Sequence, residues 1–158
     1  MNNEFDIFNA RILIVDDQPV NVQLLEQLLA ESGYTQVSST LDPQAVCGLH
    51  EAHPYDLILL DLKMPVMDGF QVMQGLEKDL GDSYLPVIVL TAEPGHKLRA
   101  LQAGAKDFIS KPFDLIEVKT RIYNMLEVRL LYKKLENYSK LMEMATNQRT
   151  DEMLLVKQ

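Results

Sequence analysis

Three stretches of this chain are aliphatic without interruption: Ile12–Val15 within RILIV, Leu57–Leu60 (LILL) and Val87–Leu90 (VIVL). A strand that faces water on one side alternates apolar and polar residues, whereas a strand covered on both faces does not. These runs therefore call for a sheet buried on both sides. Two weaker strand segments, Gln36–Ser39 (QVSS) and Asp107–Ile109 (DFI), complete a set of five. Helical patterns lie between them. Val20, Leu24, Leu25, Leu28 and Leu29 step at helical spacing, with Pro19 suited to the first turn and Gly33 to the stop. Asp42-Pro43 reads as a second start, and Phe70, Met73, Leu76 and Leu80 form a third apolar face. Glu93-Pro94 opens a fourth helix, with Leu98 and Leu101 inward and Gly104 near its end. Asp114-Leu-Ile-Glu117 has the spacing of a capping box and opens a fifth. Strands alternating with helices predict an α/β fold: a five-stranded parallel sheet, doubly wound, with helices on both faces.

The fifth helix does not stop where a domain of this size should. No Gly or Pro occurs from Leu115 to Thr146. A helix of that length is roughly 48 Å long, against a radius of gyration near 14 Å for a body of about 125 residues. Val128, Leu131, Leu135, Tyr138, Met142 and Ala145 repeat at 3,4,3,4,3 spacing, a short coiled-coil seam. The chain thus divides into a body over 1–127 and a helical extension over 128–158. Two readings of the extension stand: a coiled-coil stalk joining a homodimer, or one amphipathic helix folded back on its own body. The residues from Arg149 onward are expected to fray.

Composition excludes several partners. The 158 residues carry a net charge of -8, which gives no basic face for nucleic acid or anionic lipid. Residues 1–113 hold 7 basic and 16 acidic side chains, so the excess lies there. The single cysteine, Cys47, cannot form an internal disulfide and suits a reducing compartment, so a cytoplasmic location is expected. No run approaches the ~18–20 apolar residues of a membrane span. The start, Met1-Asn-Asn-Glu-Phe-Asp, lacks the apolar core of a signal peptide.

In open parallel sheets, ligands bind beyond the C-terminal ends of strands. Asp16 and Asp17 follow strand one, Asp61 strand three, Thr91 ends strand four, and Ser110, Lys111 and Pro112 follow strand five. Three carboxylates, a hydroxyl and an ammonium converge on one edge. Two carboxylates about 4 Å apart repel by roughly 4 kcal/mol at an effective dielectric of 20. Such a group takes up protons or binds a cation, and hard oxygen ligands with open positions suit Mg²⁺ (or Mn²⁺). A carboxylate can also act as a nucleophile toward phosphorus, with Thr91 and Lys111 placed to hold phosphoryl oxygens. Taken singly, each residue has a plainer reading: Asp17-Gln-Pro19 fits a helix N-cap, Lys111-Pro112 a turn, and Thr91 a strand end.

The segments Ile12-Leu-Ile-Val-Asp16-Asp17, Leu57-Ile-Leu-Leu-Asp61-Leu-Lys-Met64-Pro65-Val-Met-Asp68-Gly69, Thr91-Ala92 and Lys111-Pro112-Phe113 together resemble the receiver domain of bacterial response regulators. The resemblance covers about residues 10–127. It implies a flavodoxin-like fold and a phosphorelay role. Asp61 would accept a phosphoryl group from a histidine kinase or phosphotransfer protein. Asp16, Asp17, Asp61 and the Lys63 carbonyl would hold Mg²⁺. Lys111, before a cis Pro112, would bind the phosphoryl group, and Thr91 with Phe108 would form a switch pair. Met64-Pro65 and Asp68-Gly69 would shape the neighbouring loop. Many relatives carry Tyr where this chain has Phe108, so any switch contact through that hydroxyl is lost.

Lys63 and Glu93 occupy positions that tune acyl-phosphate hydrolysis in the resembling family. Their opposite charges predict either a pair across the site mouth or two independently solvated side chains. Cys47-x-x-His50-x-x-His53 lacks a fourth metal ligand and reads as a helix terminus, and His96 reads as solvated. The tail shows no helix-turn-helix and no second enzymatic motif, so neither direct DNA binding nor separate catalysis is expected. A receiver running into a coiled coil is similar to regulators followed by HD-GYP, GGDEF or kinase domains, and leans toward the HD-GYP group and cyclic-di-GMP signalling. The competing functions are a phospho-acceptor switch, an Mg²⁺-dependent aspartyl phosphatase and an inert receiver serving as a dimerising scaffold. The phosphatase would want an acid close after Asp61, but Leu62 and Lys63 follow.

Overall fold

β1 (Arg11–Val15) sits between β2 (Gln36–Thr40) and β3 (Leu57–Asp61), and β4 (Val87–Thr91) and β5 (Asp107–Ser110) follow outward from β3. Every neighbouring pair is parallel, with Val15 beside Leu60, Asp61 beside Leu90 and Thr91 beside Ser110. This computed structural model describes residues 6–64, 66–80, 84–93 and 95–157, with side chains except at 79, 80 and 151–157. Residues 1–5, on which the absence of a leader was read, lie outside the described residues, as do Pro65, Pro94 and the Leu80 side chain.

The aliphatic runs behave as strands covered on both sides. Leu13, Val15, Ile58 and Leu60 point into one core with Phe70, Val72, Met73 and Leu76 of α3 (Gly69–Leu80). Ile12, Ile14, Leu57 and Leu59 point into the other, with Leu25 and Leu29 of α1 (Pro19–Glu31) and Val118, Ile122 and Leu126 of α5 (Leu115–Lys157). Alternation along each strand thus divides between two apolar layers rather than between core and water. The doubly wound, five-stranded parallel fold is as expected.

Local signals work as their chemistry predicts. Asp42 accepts a hydrogen bond from Gln44 N at 2.9 Å and starts a short 3-10 turn that leads into α2 (Val46–Ala52). Gly33, after α1, has φ of 101°, a left-handed position where a side chain would be strained. Asp114 Oδ1 accepts from the amides of Ile116 and Glu117. Glu117 itself turns to Arg121 rather than back to the cap.

Three expectations fail. Leu98 and Leu101 do not face inward: they are 65% and 41% exposed, while Ala100 is buried. α4 (His96–Gln102) spans barely two turns, and so few residues leave its rotational phase open to the tight fit of Ala100 beneath it. In α1, Val20 points to water and Val22 takes the inward place. α5 does not end at Arg149 but continues as helix to Lys157, since nothing after Thr146 breaks it. Among the described residues, no helix is long and apolar enough to cross a membrane.

Candidate functional site

The chain leaves β1 toward β2 on one side and returns to β3 on the other, so a crevice opens between the heads of β1 and β3. Asp16 follows β1, Asp61 ends β3, Thr91 ends β4 and Lys111 follows β5. Carboxylate oxygens of Asp16, Asp17 and Asp61 all lie within 4.8 Å of one another. Asp16 and Asp61 are buried and Asp17 is half-buried. Asp16, Asp17, Asp61, Lys63, Thr91 and Lys111 are therefore brought together, whereas Phe108 does not line the cavity of about 310 Å³ that opens beside them. It is lined by Asp17, Asp61, Lys63, Thr91, Glu93 and Lys111 among others.

Each group is held by backbone. Asp16 Oδ1 accepts from Gln18 N at 2.9 Å, so the residue before Pro19 is fixed by Asp16, and Asp17 is not the helix cap. Lys111 follows β5, with its amide donating to Thr91 O, and the Lys111–Pro112 peptide is cis. Lys111 Nζ reaches Asp61 Oδ1 at 3.2 Å and Asp16 Oδ2 at 3.4 Å. Lys63 N lies 3.4 Å from Asp61 Oδ1. The loop after β3 returns sharply: Gly69 N donates to Leu62 O, and a Cβ on Gly69 would lie 2.7 Å from Asp61 O. Asp68 and Gln71 then exchange hydrogen bonds between side chain and backbone and start α3, a cap that sequence reading passed over.

Burial, and next the Asp16 charge, push the Asp61 carboxyl up to about 6; Lys111 pulls the other way without cancelling them. A single ammonium thus does not neutralise three carboxylates. Oxygen donors this close, one pair deeply buried, fit a small hard divalent cation. Thr91 Oγ1 accepts from Glu93 N at 3.0 Å and donates to Glu93 O at 3.3 Å, which holds its hydroxyl in the local turn.

Lys63 and Glu93 do pair across the mouth of the cavity. Glu93 also meets His96 Nε2 at 3.1 Å. His96 is therefore not simply solvated: its ring stands edge-on to Phe70, and its Nδ1 is buried without a hydrogen-bond partner among the described residues. Phe108 is half-buried, with Lys97 Nζ 4.6 Å and the Arg121 guanidinium 5.7 Å from its ring centre. Cys47, His50 and His53 form no metal cluster among the described residues, and His50 Nδ1 accepts from Tyr55 N.

Sequence reading missed a third buried acid. Asp56 stands just before β3 and is 5% exposed. It pairs with Arg129 at 3.3 Å and Lys133 at 3.0 Å on α5. The available signal was an acid directly preceding an all-apolar strand, with two cations four residues apart on a helix.

Comparison with known proteins agrees with this geometry. A family model described as "Response regulator receiver domain" matches residues 12–123. Response regulator PleD of Caulobacter vibrioides is 36% identical over 129 residues, covering 80% of this chain and 28% of PleD. A probable cyclic di-GMP phosphodiesterase of Vibrio cholerae is 29% identical over 150 residues, covering 94% of this chain and 34% of that protein. The chain thus spans about a third or less of these relatives. The receiver domain of sensor histidine kinase PA1611 from Pseudomonas aeruginosa PAO1, solved with a magnesium ion coordinated in its active site cleft, superposes with a TM-score of 0.68 at 31% identity. That match covers 75% of this chain and 98% of the other. With acids at the heads of β1 and β3, Thr91 at the head of β4 and Lys111 beyond β5, the chain belongs to the response regulator receiver domain family of two-component signalling.

Proposed function

We propose that this chain is a phosphorelay switch that accepts a phosphoryl group on Asp61 with Mg²⁺ (or Mn²⁺) as cofactor. The observation that carries the reading is the convergence of the Asp16, Asp17 and Asp61 carboxylates with the Lys111 ammonium, beside a cavity that Asp17, Asp61 and Lys111 line. An Asp61 oxygen attacks phosphorus of a phosphohistidine on a histidine kinase or phosphotransfer protein. The P–N bond breaks, the imidazole leaves, and the group becomes an aspartyl phosphate. A cation held by Asp16, Asp17, Asp61 and the Lys63 carbonyl supplies charge neutralisation when bound. Lys111 Nζ, already at Asp61 Oδ1, pairs with a phosphoryl oxygen. The Thr91 hydroxyl, engaged by Glu93, turns to the phosphoryl group as Phe108 turns inward.

The likeness to a cyclic di-GMP phosphodiesterase over nearly the whole chain, extension included, supports an output in cyclic-di-GMP signalling. The exposed seam of Val128, Leu131, Leu135, Tyr138 and Met142 supports a homodimer through α5. The acidic charge supports a role without direct DNA or membrane binding, in the cytoplasm. The body ends and the extension begins along α5, beyond the last residues packed on the sheet.

The test is intact mass after incubation with Mg²⁺ and phosphoramidate. The expected gain is one phosphoryl group, absent in Asp61→Asn and absent with chelator. No gain from the small donor or from a cognate kinase overturns the reading. Release of phosphate from a free phosphoester over many turnovers would point to the phosphatase instead.

A further inference from the structure

β3 carries a buried carboxylate at each end: Asp61 at its head, Asp56 at its foot. Asp56 lies outside the cavity and has its own partners. Its Oδ2 accepts from Arg11 N at 2.9 Å, and its Oδ1 meets Arg129 Nε and Lys133 Nζ from α5. Arg129 also donates to the carbonyl of Tyr84, just before β4. Tyr84 stacks on Tyr132 with ring centres 4.0 Å apart, and its hydroxyl lies 3.9 Å from Met125 Sδ.

Met125, Arg129, Tyr132 and Lys133 fall on one face of α5, one helical turn after another. Their ion pairs, ring stacking and hydrogen bonds fall at the foot of β3 and on the segment leading into β4. The heads of those same strands carry Asp61 and Thr91. Past this clamp the helix leaves the body. Leu126 lies in the core beneath the sheet and Leu130 is buried, whereas Leu131 and Leu135 are 64% and 62% exposed. Removing one partner from a buried ion pair is costly, because it leaves an uncompensated buried charge.

We propose that Asp56 is the positioning residue of the outgoing helix: it keys α5 to the feet of β3 and β4, so that the helix moves with the strands that bear Asp61 and Thr91. The second half of this statement rests on the reading of Asp61 as phosphoryl acceptor. The first half does not.

The experiment uses the full chain with Cys47→Ala and spin labels at Glu51→Cys on α2 and Ser139→Cys on α5, diluted in unlabelled chain. The distance between the labels is measured alone and with Mg²⁺ and beryllofluoride, a phosphoryl mimic. Wild-type Asp56 is expected to give one narrow distance that shifts on adding the mimic. Asp56→Asn, and separately Arg129→Gln with Lys133→Gln, are expected to lose the narrow distance and the shift. The second variant leaves the sheet's own residues intact, and circular dichroism shows that each variant is folded. Narrow, wild-type distances in both variants overturn the proposal, as does a shift that survives in both. Calorimetry of Mg²⁺ with the mimic separates the two readings. If neither binds wild type, the acceptor reading fails, while the distances without ligand still decide whether Asp56 positions the helix.

Discussion

Asp61 is a charge that the fold holds at a cost. Its carboxyl titrates near 6 because it is buried and faces Asp16. A folded value above the unfolded one means that the fold prefers the neutral form. In chelator, wild-type stability should fall as pH rises from about 4 to about 6 and then level. Asp61→Asn should lack this slope and be more stable than wild type by about 3 kcal/mol at pH 8, since a tenfold change in proton affinity corresponds to about 1.4 kcal/mol. Urea melts at pH 4 and pH 8 measure both. Added Mg²⁺ should raise the wild-type midpoint and leave the variant nearly unmoved, because a ligand stabilises only the state that binds it. Lys63 and Glu93 act on the product. Their pair spans the mouth through which water must enter. Lys63→Ala and Glu93→Ala should each shorten the aspartyl-phosphate lifetime by roughly two- to threefold, the modest scale of an exposed ion pair. Equal decay of the mass-shifted species in all three proteins would remove this role.

Elements show what sequence can carry and what it cannot. The strands were legible because burial on both faces leaves an unmistakable aliphatic run, and the acids were legible because strand polarity sends every strand-end residue to the same edge. Asp16, Asp61, Thr91 and Lys111 needed no more than that. Facing was legible only in longer helices. α3 buries Phe70, Met73 and Leu76 as its period predicts. α4 is too short for a period to define a face, and there Ala100, not a leucine, meets the sheet side. For Asp56 and Arg129 the acid before an apolar strand and the cations spaced along a helix are legible, but their pairing is not, since the partners are 73 residues apart in sequence. The α4 result has a direct test. Leu98→Ser should change stability by less than about 0.5 kcal/mol, as surface substitutions do. Ala100→Leu should cost about 1–3 kcal/mol by overpacking. Thermal melts of the two variants discriminate, and the sequence-based facing predicts the reverse order.

At the scale of the molecule, a 43-residue helix leaves a body that needs only its first turns. Fully extended it is about 65 Å long. Its far part carries an apolar seam on the side turned from the body, an arrangement that a second copy of the helix can cover without disturbing the first body. The full chain should therefore sediment as a dimer and lose this on truncation. Where the cut falls decides whether the test is clean. A cut after Glu127 looks natural from sequence, but it removes Leu130, Arg129 and Lys133, and so leaves Asp56 buried with no cation. Stripping partners from a buried charge costs about 3–5 kcal/mol. A chain ending at Lys134 keeps the clamp and loses most of the seam. It should be a monomer by sedimentation and melt close to the full chain at matched concentration, apart from the stabilisation that dimerisation itself adds. A chain ending at Glu127 should melt well below it, and Asp56→Asn should restore part of that loss only in the shorter chain. If the two truncations melt alike, the ion cluster is not what joins helix to body. If the chain ending at Lys134 is still dimeric, the contact between copies lies on the body and not on the seam.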